Sequence, residues 1–324
     1  MSPALEEVRG LRAFWEGLTG RIEAPPLGMD QRVMLDALGL GLGQTLAQMP
    51  DRPEWEPFKA WIVAMAGEPD PVAIARYHAW LDGKPPPAAT RDLIAAIEAM
   101  PPALDAADLA HWDEHGYVVL RGAATPEQAA RAAELLYGVV GATPGDPESW
   151  YGRGVNSIMV EHFQAPVLSE IHANPRIHKA YAQLYGTADL WTQIDRMSFN
   201  PPVRERSPSL GVRLHWDASL VTPIPLFIQG ILYLTDTSPD QGALELVPGF
   251  HRRMEAWLAG LGDADPRATD LSADAITIGA GAGDLILWHQ ALPHSASPNR
   301  AALPRLAHYV TMYSPEILPH PEWR

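Results

Sequence analysis

The stretch Arg213-Leu-His-Trp-Asp-Ala-Ser-Leu220 sets two metal-type donors, His215 and Asp217, two residues apart. Positions i and i+2 of an extended chain share a face, so both would point inward and reach one ion while Trp216 points away. A third donor must then come from a strand distant in sequence. Gly283-Asp-Leu-Ile-Leu-Trp-His-Gln-Ala-Leu-Pro-His-Ser-Ala-Ser-Pro-Asn299 offers His294, just past an apolar run that ends near His289. Two imidazoles and one carboxylate suit a mononuclear non-haem iron(II) centre. They occupy one face of the metal and leave the others open for oxygen and an organic ligand. With iron(II) such a centre keeps a charge of about +1, which favours an anionic chelating co-substrate such as a 2-oxo acid. Arg305, beyond the last donor, carries the planar fork that pairs bidentately with a far carboxylate.

Outward from these motifs, the apolar period from about residue 190 is two. Strands are expected over 190–200, 211–217, 227–236, 243–247, 275–278, 284–289 and 306–313. Turn-rich pieces such as Ser238-Pro-Asp-Gln-Gly242 separate them. Several short strands with Gly/Pro turns imply a sandwich or barrel, and a jelly roll fits. Before them, Leu104 to Gly116 reads as a capped helix ending at Gly116 and 117–121 as a strand. Thr125-Pro-Glu-Gln128 carries an N-cap threonine, a proline at the first helical position and a glutamine at the third. Residues 1 to about 100 space their apolar residues three and four apart over 6–18, 31–48, 54–65, 71–81 and 91–100, punctuated by Pro and Gly. The chain therefore divides into a helical N-terminal extension, 1–102, and a mainly β region, 103–324. The only histidine in the first hundred residues is His78, expected on a helix surface.

Composition narrows the chemistry. The chain has 324 residues, 47% of them apolar, enough for a substantial core. Its formal net charge of −15 argues against nucleic-acid binding, which depends on basic stripes. With no cysteine, thiolate metal sites, disulfides and cysteine nucleophiles are excluded. A metal must be held by His, Asp, Glu or backbone oxygen, which suits iron, manganese or zinc. No basic leader or apolar span is evident, so a cytoplasmic protein without membrane association is expected.

Taken together, these blocks resemble the phytanoyl-CoA dioxygenase (PhyH) family of Fe(II)/2-oxoglutarate-dependent oxygenases, over roughly residues 105 to 313. The opening Leu109-Ala-His-Trp-Asp-Glu-His-Gly-Tyr-Val-Val-Leu-Arg-Gly122, the Ser198-Phe-Asn-Pro-Pro202 block and the middle block Gly230 to Arg252 are similar to the family's. So are Gly283-Asp284, His294, Asn299 and Arg305, in order and spacing. The resemblance implies a double-stranded β-helix (a jelly-roll, cupin-like core) flanked by helices. It implies iron(II), 2-oxoglutarate and O2, with His215, Asp217 and His294 as catalytic metal ligands and Arg305 as the co-substrate's ion-pair partner. By position it implicates Met197 and Tyr233 in the co-substrate pocket. Val155–Met159 has no lysine where some relatives use one, and Asn156 or Ser157 are the substitutes there. An aspartate at 217 favours hydroxylation over halogenation. The implied reaction is hydroxylation of an unactivated C–H bond of a small molecule or natural-product intermediate, with release of succinate and CO2. Desaturation, cyclisation or epimerisation on the same centre, or a non-catalytic jelly-roll binding protein, are the alternatives.

Gln193, Arg153 and Trp216 are candidate substrate contacts, although large aromatics more often fill cores. His289 is expected to be structural because the resemblance, through the family's spacing, selects His294, and Asp284 is expected to organise its turn. The N-terminal helices are candidates for a homodimer or carrier-protein contact.

Overall fold

The computed structural model describes residues 4–23, 27–152, 157–205, 213–317, 320 and 322–324. Six helices come first: α1 (Leu11–Leu18), α2 (Met29–Ala37), α3 (Leu42–Leu46), α4 (Trp55–Ala66), α5 (Pro71–Leu81) and α6 (Ala88–Ala99). Then follow α7 (Ala106–His115), β1 (Tyr117–Leu120), α8 (Pro126–Val140), β2 (Met159–Val160), α9 (Pro166–His172), α10 (Pro175–Tyr185), β3 (Trp191–Gln193), β4 (Met197–Asn200), β5 (Ile228–Tyr233) and β6 (Leu244–Leu246). The chain continues through α11 (Phe250–Leu261), β7 (Ile276–Ile278), β8 (Leu285–His289), β9 (His294–Ala296), β10 (Arg305–Tyr309) and β11 (Thr311–Tyr313). Among the described residues no helix is long and apolar enough to cross a membrane.

The strands form an antiparallel jelly roll. Its larger sheet runs β1-β8-β5-β10-β4-β2 and its smaller sheet β7-β6-β9, with β11 and β3 paired as a separate ribbon. Side-chain alternation gives the larger sheet two different faces. Inward, Ile231, Tyr233, Ile286, Trp288 and Ala307 meet Leu244 and Leu246 of the smaller sheet. Outward, Leu232, Leu285, Leu287, Leu306 and Val310 meet Leu136 of α8, Leu168 and Ile171 of α9, and Tyr181 of α10. Both faces of β5 and β8 are thus covered, which is why their sequences are apolar almost throughout. Gly230, at the centre of β5, is required by this packing. The Tyr181 hydroxyl donates to the Val310 carbonyl at 2.6 Å, and a Cβ at residue 230 would collide with both groups.

Local signals place the flanking helices. Thr125 Oγ1 accepts from Gln128 N at 3.1 Å, and Gln128 Oε1 from Thr125 N at 3.0 Å, completing the expected capping box of α8. Helix α7 stops at Gly116, which takes the left-handed conformation at φ 76°.

The N-terminal helices build their own core from residues such as Leu11, Phe14, Trp15, Met34, Phe58 and Ile62, and this core continues into Trp191 of β3 and Tyr313 of β11. Polar bonds fasten the same seam. Asp36 accepts from Tyr313 Oη at 2.6 Å and from Ile194 N at 3.0 Å. Arg76 donates to Asp189 at 2.5 Å and to the Leu190 carbonyl at 2.9 Å, with its guanidinium 4.2 Å from the Trp191 ring centroid.

Three strand expectations are corrected. Residues 190–200 are two strands, β3 and β4, because Ile194 N is taken by Asp36 rather than by a neighbouring strand. Residues 306–313 likewise split between β10 and β11. Of 213–217, only His215 pairs, in one antiparallel bridge to His294, and 211–212 lie outside the described residues. Helices α9, α10 and α11 form where no helix is expected from the sequence.

Candidate metal centre and active site

The bridge between His215 and His294 builds the centre. Each backbone N–H donates to the other's carbonyl at 3.0 Å, which clamps a loop segment to the start of β9. The Nδ1 of His215 faces the Arg213 carbonyl at 3.0 Å, and the Nδ1 of His294 faces the Leu292 carbonyl at 3.1 Å. A carbonyl only accepts, so each Nδ1 carries the proton and each Nε2 presents a lone pair, the tautomer a metal ligand needs. Both lone pairs converge on Asp217, with His294 Nε2 3.2 Å from Oδ2 and His215 Nε2 3.5 Å from Oδ1. One donor atom from each of the three lies within 4.8 Å of the others. Gln229, on the inward face of β5, donates to Asp217 Oδ2 at 2.7 Å and aims the carboxylate. Burial pushes the Asp217 carboxyl up, but with a proton at each Nε2 in place of an ion, bonds from His215 and His294 outweigh it and hold the group well below the usual carboxylate range. The bond to Asp217 raises His215 against the opposing effect of burial. This donor set fits a divalent ion of the iron class: two neutral imidazoles, one carboxylate and no thiolate.

Arg305 is 1% exposed, on the inward face of β10. Its Nη2 donates to Ser198 Oγ at 2.9 Å, its buried Nε has no partner, and no carboxylate pairs with it among the described residues. A guanidinium removed from water without a counter-charge costs several kcal/mol, so its surroundings fit an added anion. Tyr309, four residues along on the same face, has its hydroxyl pushed up by burial. It lines a cavity of about 430 Å³ that also contains Asp217, Gln229 and Trp288.

The other expected residues divide. Gln193 lines this cavity. Trp216 does not: it turns into the interior core against Phe250 and Trp257, its Nε1 donating to the Ala291 carbonyl at 3.0 Å, and its candidacy as a substrate contact is withdrawn. Met197 is also displaced, because it packs in the outward core and the inward position of β4 beside Arg305 belongs to Ser198. Tyr233 faces inward, but its hydroxyl is spent, donating to the Ile278 carbonyl at 3.0 Å and accepting from Leu244 N at 2.8 Å. It joins the two sheets and has no donor left for a ligand. Arg153 and Asn156 lie outside the described residues. His289 accepts from Ala291 N through Nδ1 and lies tilted beside His251, 5.4 Å between ring centroids, and burial lowers it to about 4. Asp284 accepts from Gly281 N and Gly122 N, as a turn organiser should. Asn299 donates to the carbonyls of Asn200 and Leu303, both at 2.8 Å, bracing the turn that delivers Arg305.

Sequence reasoning missed Gln229, Ser198 and Tyr309. The available signal was a polar side chain in phase with apolar inward neighbours: Gln229 with Ile231 and Tyr233, Ser198 opposite Ala307.

A family model described as phytanoyl-CoA dioxygenase (PhyH) matches residues 112–307. No curated protein matches the sequence. Among solved structures, the fold is similar to the non-haem α-ketoglutarate-dependent epimerase SnoN from nogalamycin biosynthesis, at 19% identity and TM-score 0.46, covering 67% of this chain and 80% of that one. It is similar to EctD from S. alaskensis with 2-oxoglutarate and 5-hydroxyectoine, at 18% identity and TM-score 0.45, covering 65% and 76%. It is also similar to AviO1 from Streptomyces viridochromogenes Tue57, at 17% identity and TM-score 0.48, covering 68% and 100%.

Proposed function

The chain belongs to the phytanoyl-CoA dioxygenase (PhyH) family, and from that premise we propose that it is an Fe(II)- and 2-oxoglutarate-dependent oxygenase hydroxylating an unactivated C–H bond of a small molecule. One observation carries the reading: a three-donor cluster and a buried arginine with an unpartnered Nε sit inside one jelly roll, and Tyr309, on the strand of Arg305, lines the cavity that contains Asp217. When bound, iron(II) supplies oxygen activation coupled to decarboxylation of 2-oxoglutarate to succinate.

The chain's own residues do the positioning. His215, Asp217 and His294 hold the ion, and the Arg213 and Leu292 carbonyls keep both imidazoles in the ligating tautomer. Gln229 keeps the Asp217 carboxylate turned toward the two imidazoles. Arg305 takes the far carboxylate of 2-oxoglutarate, with Ser198 Oγ holding one arm of the fork. Trp288, packed against His294 at 5.3 Å between ring centroids, keeps water from one side of the centre. Desaturation, cyclisation or epimerisation would use the same residues and differ only in the C–H bond presented. A purely binding role has no use for an intact donor set together with a buried cation lacking a counter-ion. Iron(II)-dependent formation of succinate from 2-oxoglutarate without added substrate tests the proposal. It should be measurable in the wild type and abolished in His294→Ala, and a metal-loaded wild type that releases none contradicts it.

A further inference from the structure

The cavity that holds Asp217 is not closed by the jelly roll alone. Met29 and Arg32 of α2, from the N-terminal helical layer, form part of its wall beside Gln193 and Phe227. The Arg32 guanidinium lies 5.2 Å from the Phe227 ring centroid and 5.2 Å from that of Tyr313. Its Nη2 donates to Gln193 Oε1, and Gln193 Nε2 in turn donates to Asp195 Oδ2 at 2.6 Å. The glutamine amide is therefore fixed from both ends, and it holds the guanidinium at the wall. Among the described residues no carboxylate stands within 4.0 Å of Arg32. A guanidinium offers five N–H donors, and Gln193 occupies one of the two arms. The nearby Arg196 differs, since its Nε lies 3.6 Å from Asp195 and its charge is locally matched. Arg32 shares the more distant charges of Asp36 and Asp195, but among the described residues one arm of its fork meets no close carboxylate, and a single planar fork beside aromatic and thioether groups fits one carboxylate better than a dianion, which would call for two cations.

We propose that Arg32 is a specificity-determining residue that binds a carboxylate carried on an apolar body of the primary substrate, so that the N-terminal helical layer is part of the substrate site. This rests on the oxygenase reading for the identity of the cavity. It assigns Gln193 a positioning role, through Arg32 rather than through substrate. The carboxylate and the co-substrate's own carboxylate are read by different arginines on different elements, Arg32 on α2 and Arg305 on β10.

The test uses benzoate and benzamide, which share shape and differ in charge, titrated calorimetrically into the full chain loaded anaerobically with Fe(II) and saturating 2-oxoglutarate. Saturation keeps Arg305 engaged, and visible absorption of the same samples records whether metal and co-substrate are bound. Wild type should prefer benzoate by on the order of tenfold. Arg32→Gln should lose that preference, and Arg32→Lys, which keeps the charge without the fork, should retain part of it. Equal affinity for the two probes, binding of neither, or a preference unchanged in Arg32→Gln overturns the proposal. If the preference follows Arg32 but no metal–2-oxoglutarate absorption is seen, the oxygenase reading fails while the anion site stands.

Discussion

At the residue scale, the centre is defined less by which residues are present than by what holds them. Two histidines occur in many proteins without a metal, but here each Nδ1 is committed to a carbonyl and each Nε2 turns to Asp217. Arg305 is defined by what it lacks, a partner for Nε. Titration with 2-oxoglutarate should therefore separate two contributions. Arg305→Ala should weaken affinity by on the order of 100-fold, the loss of a buried charge pair. Ser198→Ala, which removes only the neutral bond steadying the fork, should weaken it by about fivefold. Equal affinity in wild type and Arg305→Ala would remove Arg305 from the site. The proposed ligand set and Arg305 could be named from the sequence because the family's short motifs keep their order and spacing whatever the exact bounds of the strands around them, and the structure brings His215, Asp217 and His294 together. Ser198 was legible only in part. The choice between Met197 and its neighbour depends on strand phase, and a one-residue shift exchanges the two faces.

At the element scale, the jelly roll follows from period-two patterning, and the errors arise where tertiary bonds cut a pattern. The run 190–200 looks like one strand, yet Asp36, far earlier in the chain, takes Ile194 N and separates β3 from β4. No local signal announces that contact. Its chemistry makes a prediction. Burial raises the Asp36 carboxyl from 3.8 to about 7, against the lowering effect of its bonds to Tyr313 and Ile194. The folded state then binds this proton more tightly than the unfolded chain. The contribution to stability is full below about pH 4, falls as pH rises toward 7, and is constant above. Unfolding free energies at pH 5 and pH 8 should differ more in wild type than in Asp36→Asn, by on the order of 2–4 kcal/mol. Parallel profiles for the two proteins would show that Asp36 is ionised throughout. The missed helix α11 has a different cause: its buried side, Phe250, Met254 and Leu258, recurs every four residues and faces the interior core with Trp216, so its helical spacing was present in the sequence and was passed over among the strands around it.

At the scale of the whole molecule, the helical N-terminal region and the β region meet through a shared core, with Trp191 and Tyr313 buried in it. Burying a large aromatic contributes about 2–3 kcal/mol, so this seam is a substantial part of the fold. Removing residues 1–102 should leave a protein that aggregates or melts more than about 10 °C lower, and it should also remove Met29 and Arg32 from the cavity wall. An unchanged melt and an unchanged oligomeric state in the truncated form would make the region a dispensable attachment and would also count against a dimer formed through it. The central claim is narrower and can be reached directly. Anaerobic visible absorption of the metal-free protein, titrated with Fe(II) and then 2-oxoglutarate, should develop a metal-to-ligand charge-transfer band in wild type. The band should be absent in Asp217→Ala and weakened in Arg305→Ala. A folded, iron-supplied wild type without that band would contradict the assignment of His215, Asp217, His294 and Arg305 to one oxygenase centre.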